Sequence, residues 1–231
     1  MRDLSNLDEQ SKVSWDETYQ VHKGHDFWGQ TPVPFVQLAV KTFQEDAANI
    51  VLDLPCGDGR NLVHLMRDLP FIVGGDTSRV ALEAAAHYIA GLPSGRCVLQ
   101  EVDIFRTPFV GEQFDGVFCA DVLGHLTRPQ EAIAELLRVC RRNKCVVGSL
   151  FALGDSTRGV DMTRIGPEEY VYSDKFYFKF YDKAEVTRLL ESVQAEILSI
   201  ELARWTEPPH KGYREYEHEH QSWVFTVRKR I

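Results

Sequence analysis

Between residues 50 and 151 the chain alternates short apolar runs with apolar positions at helical spacing. Ile50 to Leu54 is a run bounded by Asn49 and Pro55, the pattern of a strand buried on both faces of a parallel sheet. Leu62, Leu65, Met66 and Leu69 follow at the spacing of one helix face. Residues 71–76 predict a second strand, and the alanine-rich stretch 80–90 a helix that Pro93-Ser94-Gly95 ends. Residues 97–100 predict a third strand, 113–121 a fourth with a polar end, 129–141 a helix, and 145–151 a fifth strand. Strand and helix in strict alternation predict an α/β fold, a doubly wound and mostly parallel sheet.

The flanks read differently. Residues 5–22 predict a polar helix with Trp15 and Tyr19 four apart on one face. Residues 23–32 read as a loop by their glycines and proline, and Phe35, Leu38, Ala39, Thr42 and Phe43 mark a second helix. The aromatics here, Phe27 and Trp28 included, suit either a lid over a pocket or anchors that fix the helices to the core. After the fifth strand, residues 154–175 have little period and several glycines, so a loop or flap is expected. Residues 176–181 alternate as a strand. Asp182 reads as a helix N-cap with Glu185 as its capping-box partner, ahead of Val186, Leu189, Leu190 and Val193. Residues 196–202 and 223–229 predict the closing strands. One domain is expected over 1–231: an N-terminal helical lid (1–45), a core (46–151), and substrate-side elements with closing strands (152–231).

Chemistry concentrates in the first strand–helix turn, Asp53-Leu54-Pro55-Cys56-Gly57-Asp58-Gly59-Arg60-Asn61. Two glycines let a ligand approach the backbone, and the helix start offers free N–H donors. Leu62 stands where a dinucleotide fingerprint has its third glycine. A pyrophosphate would meet Asp53 and Asp58 at a few ångströms, whereas a sulfonium or ammonium would be attracted. This favours S-adenosylmethionine (SAM) over NAD. Asp76, at the end of the second strand, can accept hydrogen bonds from both ribose hydroxyls. Asp103 falls just past the third strand, where its carboxylate can accept an adenine amine while Ile104 covers the ring.

Composition narrows the class. The 231 residues are 44% hydrophobic, enough for one domain with a full core. Net charge is −8 and no long basic run precedes Arg228-Lys229-Arg230, so no nucleic-acid partner is expected. Met1-Arg2-Asp3-Leu4-Ser5 carries no apolar signal core, and no segment reaches the ~18 apolar residues of a membrane span. The five cysteines are scattered without a CxxC pair, the usage of a reduced, cytoplasmic protein.

Together, Asp53-x-x-x-Gly57-x-Gly59, Asp76, Asp103-Ile104, and Phe114-Asp115 through His125-Leu126 resemble the class I SAM-dependent methyltransferases in order and spacing. The resemblance covers roughly residues 45–205. It implies a Rossmann-like seven-stranded sheet with an antiparallel last strand and helices on both faces. It also implies that the Gly57/Gly59 turn holds the methionine part of SAM, Asp76 the ribose and Asp103 the adenine. The family often has glycine where this chain has Pro55, so any ligand bond from that amide is lost. The expected cofactor-binding set is Trp15, Tyr19, Asp53, Pro55, Gly57, Gly59, Asn61, Asp76, Thr77, Asp103, Ile104, Ala120, Asp121 and His125, with S-adenosylhomocysteine (SAH) as the product.

The segment 204–223 is dense in histidine, aromatics and glutamate. Its shape is similar, weakly, to the arm of the tellurite-resistance methyltransferases, which suggests that His210 and Arg214 face the transferred methyl. His218 and His220 share a face if extended. With His210 they make three imidazoles, a known zinc set. No cysteine joins them, and glutamates on the opposite strand face cannot, so no metal is assigned. The same histidines suit a general base, or a polar hairpin bonded to its own glutamates. Candidate catalytic residues are therefore His210, Arg214, His218, His220 and His125. The function expected is methyl transfer to a small molecule bearing a thiol, metalloid, hydroxyl or amine. The alternatives are a non-catalytic SAM sensor or subunit and an NAD(P)-dependent oxidoreductase.

Overall fold

The computed structural model describes residues 7–21, 28, 31–92, 95–210 and 213–229. Most of the 23–30 loop, Phe27 included, and Pro93-Ser94 lie outside the described residues, as do Lys211, Gly212 and Arg230.

Among the described residues, ten strands form two sheets and six α-helices pack with them. The strands are β1 (Ile50–Asp53), β2 (Phe71–Asp76), β3 (Cys97–Glu101), β4 (Phe114–Cys119), β5 (Cys140–Phe151), β6 (Met162–Gly166), β7 (Glu169–Tyr172), β8 (Phe176–Lys179), β9 (Ala195–Glu207) and β10 (His218–Lys229). The helices are α1 (Leu7–Val21), α2 (Val36–Glu45), α3 (Leu62–Asp68), α4 (Arg79–Ile89), α5 (Pro129–Val139) and α6 (Lys183–Ser192). The main sheet has the order β3-β2-β1-β4-β5-β10-β9. β1 pairs parallel with β2 and β4, and β4 with β5. β10 enters antiparallel between β5 and β9. This is the seven-stranded, doubly wound sheet with a reversed last strand that the motifs imply.

Burial explains the layering. Side chains of β1 alternate between two cores. Val51 joins the cluster built by Val36, Ala39, Val40 and Phe43 of α2 and Leu62, Leu65 and Met66 of α3. Leu52 joins the opposite cluster, with Ala132, Ile133 and Leu136 of α5 and Val186, Leu189 and Leu190 of α6. β4 is buried along its whole length, as a central strand covered on both faces must be. The capping box at Asp182 and Glu185 is present at the start of α6.

Two expectations change. Residues 154–175 are not a bare loop: β6 and β7 lie there and pair antiparallel with β8 as a second sheet. The alternation was too short to see, because β7 spans only Glu169–Tyr172. The closing strands are also longer than their apolar positions indicated. β9 runs on to Glu207 and β10 begins at His218, with His218 opposite Glu207. The N-terminal helix α1 seats Leu7 against Val171 and Tyr177 of the second sheet. This carries Trp15 and Tyr19 over the carboxyl ends of the central strands.

Candidate active site

A cavity of roughly 150 Å³, open to solvent, lies at the carboxyl end of β1, β2, β4 and β5. Ligands bind at this end of open α/β sheets. One wall is the first turn and the end of β2: Pro55, Cys56, Gly57, Asp58, Arg60, Asn61, Asp76 and Thr77. The roof is Trp15, Tyr19 and Trp28. The far wall comes from Phe151, Phe178, Glu207, Tyr213, Arg214 and His220, and Ala120, Asp121, Val122 and His125 form the floor. A second, smaller cavity continues beside it, lined by Lys12, Trp15, Pro55, Thr77, Ile104, Phe105 and His125 among others.

The turn is shaped for close approach. Gly57 has φ +54°, and a Cβ there would stand 3.0 Å from the Tyr19 hydroxyl. Its N–H donates to Asp76 Oδ2 at 2.9 Å, and Asp76 Oδ1 accepts from Ser78 N–H at 2.9 Å. Burial raises Asp76 to about 6, opposed by these backbone N–H groups and helped by the charge of Asp58. Gly59 does something else. A Cβ on it would press within 3.2 Å of Ala85 in α4, so it serves helix–turn packing and does not line the cavity. Asp53 is fully buried behind the turn, and neither carboxylate oxygen has a hydrogen-bond partner. Burial and then Asp76 push it well above the carboxylate range. Asn61 Oδ1 accepts from Val33 N–H at 3.1 Å, which ties the approach to α2 to the turn.

Other expected residues are placed less simply. Ile104 and Phe105 line the second cavity, where an adenine is expected. Asp103 itself bonds Lys12 Nζ at 2.6 Å through Oδ2 and Phe105 N–H at 2.9 Å through Oδ1. An adenine amine therefore has to share Asp103 with a lysine that no local pattern flagged. His125 faces both cavities, with its Nδ1 2.9 Å from the Tyr177 carbonyl. That bond works against a strong desolvation, and Arg214 and His220 add to the depression, leaving His125 at about 3. A ring so reluctant to protonate is a poor general base near neutral pH.

The arm between β9 and β10 folds onto the far wall. His210 N–H donates to the Arg214 carbonyl at 2.5 Å, and Tyr213 N–H to the His210 carbonyl at 3.1 Å. Arg214 and His220 face the cavity; His210 and His218 stand behind the wall. Arg214 is 1% exposed, and its Nε and one terminal nitrogen have no hydrogen-bond partner. Its guanidinium carbon lies 4.9 Å from the ring centre of Phe178 and 5.5 Å from those of Tyr172 and Tyr213.

The glutamate expectation is overturned. Register places Glu207 opposite His218, and Glu207, His210 and His218 bring one ligand atom each to within 4.8 Å of one another. Sequence reasoning also missed Arg60 and Asp155. Arg60 bonds Glu207 at 2.7 Å and Asp121 at 3.1 Å, and Asp155 accepts from His220 Nδ1 at 2.9 Å. These pairs span from 61 to 147 residues of chain, beyond any local pattern.

The residues fit a sulfonium nucleoside. Asp53 offers an unanswered buried carboxylate, Gly57 a cradle that a Cβ would fill, and Asp76 an acceptor at the strand end. Comparison with known proteins agrees. Residues 51–143 match the model of a family described as a methyltransferase domain. An O-methyltransferase of Penicillium expansum, cnsE, is 30% identical over 93 residues, which are 39% of this chain and 34% of that protein. The chain thus spans about a third of the curated relative it matches. Two solved structures share the fold. One is the Burkholderia thailandensis 1,6-didemethyltoxoflavin-N1-methyltransferase, with 1,6-didemethyltoxoflavin and S-adenosylhomocysteine bound. It has TM-score 0.72 and 15% identity, and covers 100% of this chain and 92% of its own. The other is a SAM-dependent methyltransferase of Methanosarcina mazei, with TM-score 0.68 and 15% identity, covering 87% of this chain and 99% of its own. Motifs, sheet order and domain match converge: residues 51–143 are similar to a methyltransferase domain, the sheet is the one seen in SAM-dependent methyltransferases, and the match supports S-adenosylmethionine as the cofactor.

Proposed function

We propose that the protein transfers the methyl group of SAM to a small, largely planar molecule that is anionic, or readily becomes so, at the atom methylated or beside it. One observation carries this reading: the cavity that begins at the Gly57 turn ends at a buried guanidinium with unanswered nitrogens and an aromatic surround. Burying an unpaired cation costs several kcal/mol. An anionic ligand group at Arg214 would offset that cost with charge-assisted bonds. Trp15, Phe151, Phe178 and Tyr213 supply flat apolar surface for the body of such a molecule.

SAM, when bound, supplies an electrophilic methyl on a sulfonium with a neutral leaving thioether. The chain's own residues do the rest. Asp76 accepts the ribose hydroxyls, and Ile104 and Phe105 cover the base. Trp15, Tyr19 and Trp28 close the roof and exclude water, which strengthens every charge interaction beneath. Arg214 holds the acceptor's negative charge and so fixes its orientation; positioning of this kind is the main protein contribution to a displacement. An acceptor that arrives as the anion needs no general base, consistent with the low basicity of His125. An O-methyltransferase and a 1,6-didemethyltoxoflavin-N1-methyltransferase among the similar proteins suit a small acceptor.

The test is a screen for SAH formation with acidic phenols, acidic N-heterocycles, thiols, metalloid oxyanions and neutral amines, paired with calorimetric titration of SAM, SAH and NAD. Turnover confined to the acidic classes is expected. NAD binding without SAM binding would end the proposal. SAM binding with no turnover on any class would point to the sensor alternative.

A further inference from the structure

We propose that Glu207, His210, His218 and His220 form a zinc-binding site that pins the arm carrying Tyr213 and Arg214 to the mouth of the β9–β10 hairpin. The inference does not rest on the proposed function, because its readout is metal uptake and not turnover.

Geometry is the first argument. Tetrahedral zinc with bonds of 2.0–2.1 Å requires ligand atoms about 3.3–3.4 Å from one another. Here Glu207 Oε2 stands 2.9 Å from His210 Nε2 and 3.8 Å from His220 Nε2. His218 Nε2 is 3.1 Å from His220 Nε2. Ligand atoms of Glu207, His210 and His218 all lie within 4.8 Å of one another, and all three residues are buried. The separations of 2.9, 3.1 and 3.8 Å straddle the tetrahedral edge, while His220 stands outside the mutually close trio of Glu207, His210 and His218, so completing the set requires its ring to turn toward His210.

The outer bonds of the rings are the second argument. His218 Nδ1 lies 2.9 Å from the Tyr216 carbonyl, and His220 Nδ1 lies 2.9 Å from Asp155 Oδ2. Both partners are acceptors, so each Nδ1 is the donor and each Nε2 carries a lone pair in the neutral ring. The two lone pairs then face each other at 3.1 Å, an arrangement that repels unless a cation or a proton lies between. A carbonyl or carboxylate behind the distal nitrogen is also how metal-bound histidines are oriented. On Glu207 the division is equally clear. Oε1 is taken by Arg60 at 2.7 Å and by Trp205 Nε1 at 3.0 Å, which leaves Oε2 for the imidazoles. Among the described residues, Arg60 bonds the cluster through Glu207, and it is itself paired with Asp121. With Glu207 and Asp155 both present, the local charge still favours a divalent cation.

Imidazole and carboxylate ligands in a four-coordinate array suit zinc over magnesium or calcium, which prefer more oxygen ligands. The site would join β9, β10 and the intervening arm at one point. Because His210 and Arg214 share a backbone hydrogen bond, the position of Arg214 in the cavity would depend on it.

The full-length chain, purified without a histidine tag, is analysed for metal by mass spectrometry, stripped with chelator, and titrated with Zn²⁺ by calorimetry and with Co²⁺ by visible absorption. One equivalent of tightly held zinc and an intense tetrahedral Co²⁺ spectrum are expected. His218→Ala should abolish both, and Asp155→Asn, which leaves every ligand in place, should weaken zinc about 10- to 100-fold. The wild-type titration decides the matter without any variant. No retained metal together with no stoichiometric uptake by the stripped protein would overturn the proposal, as would uptake that His218→Ala leaves unchanged.

Discussion

On its proposed ribose-binding role, Asp76 would make cofactor binding depend on pH in a calculable way. Its carboxyl is raised to about 6, first by burial, against the N–H groups of Ser78, Gly57 and Thr77, with Asp58 adding to the rise. Ribose hydroxyls need an acceptor, so the ionised form binds and the acid form does not. At pH 8 about 99% of Asp76 is ionised and at pH 5 about 9%, so affinity falls about tenfold, or ~1.4 kcal/mol. Calorimetry with SAH from pH 5 to 8 should show one proton released per ligand below pH 6 and none above 7. Asp53 lies close behind, its own carboxyl raised by burial and then by the charge of Asp76. The diagnostic variant is therefore Asp76→Asn, which should flatten the profile and weaken binding at pH 8 by about 1.5–3 kcal/mol for a lost charge-assisted acceptor. Stability should move the opposite way. The folded value lies above the ordinary 3.8, so the apo protein binds the extra proton and loses stability as pH rises through about 6. With a gap of about 6 minus 3.8, the loss is at most ~3 kcal/mol. Asp76→Asn should accordingly raise the apo melting temperature at pH 8, less the effect of one lost backbone acceptor. An affinity flat from pH 5 to 8, or an unchanged pH slope in the variant, would refute the reasoning.

Three further outcomes are expected. Arg214→Met should lower kcat/KM on the acceptor that the screen identifies by about 2–5 kcal/mol, with SAH affinity unchanged by calorimetry and Arg214→Lys recovering part of the loss. Gly57→Ala places a Cβ at φ +54° and 3.0 Å from the Tyr19 hydroxyl. It should cost about 1–2 kcal/mol in thermal stability and weaken SAH binding, and adding Tyr19→Phe should restore only the steric share. His125→Ala should leave the shape of the pH–rate profile between pH 6 and 9 unchanged, because a group at about 3 supplies no limb there. It should nevertheless lower the melting temperature, since it deletes the Nδ1 bond to Tyr177 and the ring contacts with Phe151 and Phe178.

What the sequence discloses is set by range. Fully buried strands such as β4 and amphipathic helices such as α5 announce themselves within a dozen residues, and so does the capping box at Asp182. The glycine turn and the strand-end Asp76 are equally local. β8 was legible, but β6 and β7 were hidden because they are five and four residues long and partly exposed, which leaves no clean alternation. The far wall was hidden for another reason. Glu207 joins the histidines only through the β9–β10 register, and Asp155 reaches His220 across 65 residues. Lys12, on a helix that reads as merely polar, ends against Asp103. Residue types marked the arm as chemically dense, but only tertiary pairing separates what faces the cavity, Arg214 and His220, from what stands behind it.

The charge of the acidic turn depends on more than its carboxylates. Arg60 lies in that turn and, taken alone, offsets Asp58. Its guanidinium, however, points across the cavity to Glu207 and Asp121, which it satisfies at 2.7 and 3.1 Å. Its charge is thereby spent on the arm side. Asp53 keeps two oxygens without partners, and Asp53 and Asp76 raise one another's cost of ionisation. The turn end therefore remains a place where negative charge is unfavourable until a cation arrives. Arg214 makes the opposite end a place where positive charge is unfavourable until an anion arrives. On the proposed function, a sulfonium donor and an anionic acceptor, loaded from the two ends, would relieve both conditions at once and meet in the low-dielectric middle beneath Trp15. There their attraction is least screened. The same polarity disfavours a pyrophosphate at the turn, and it would hold neutral acceptors less firmly than acidic ones even where shape admits them.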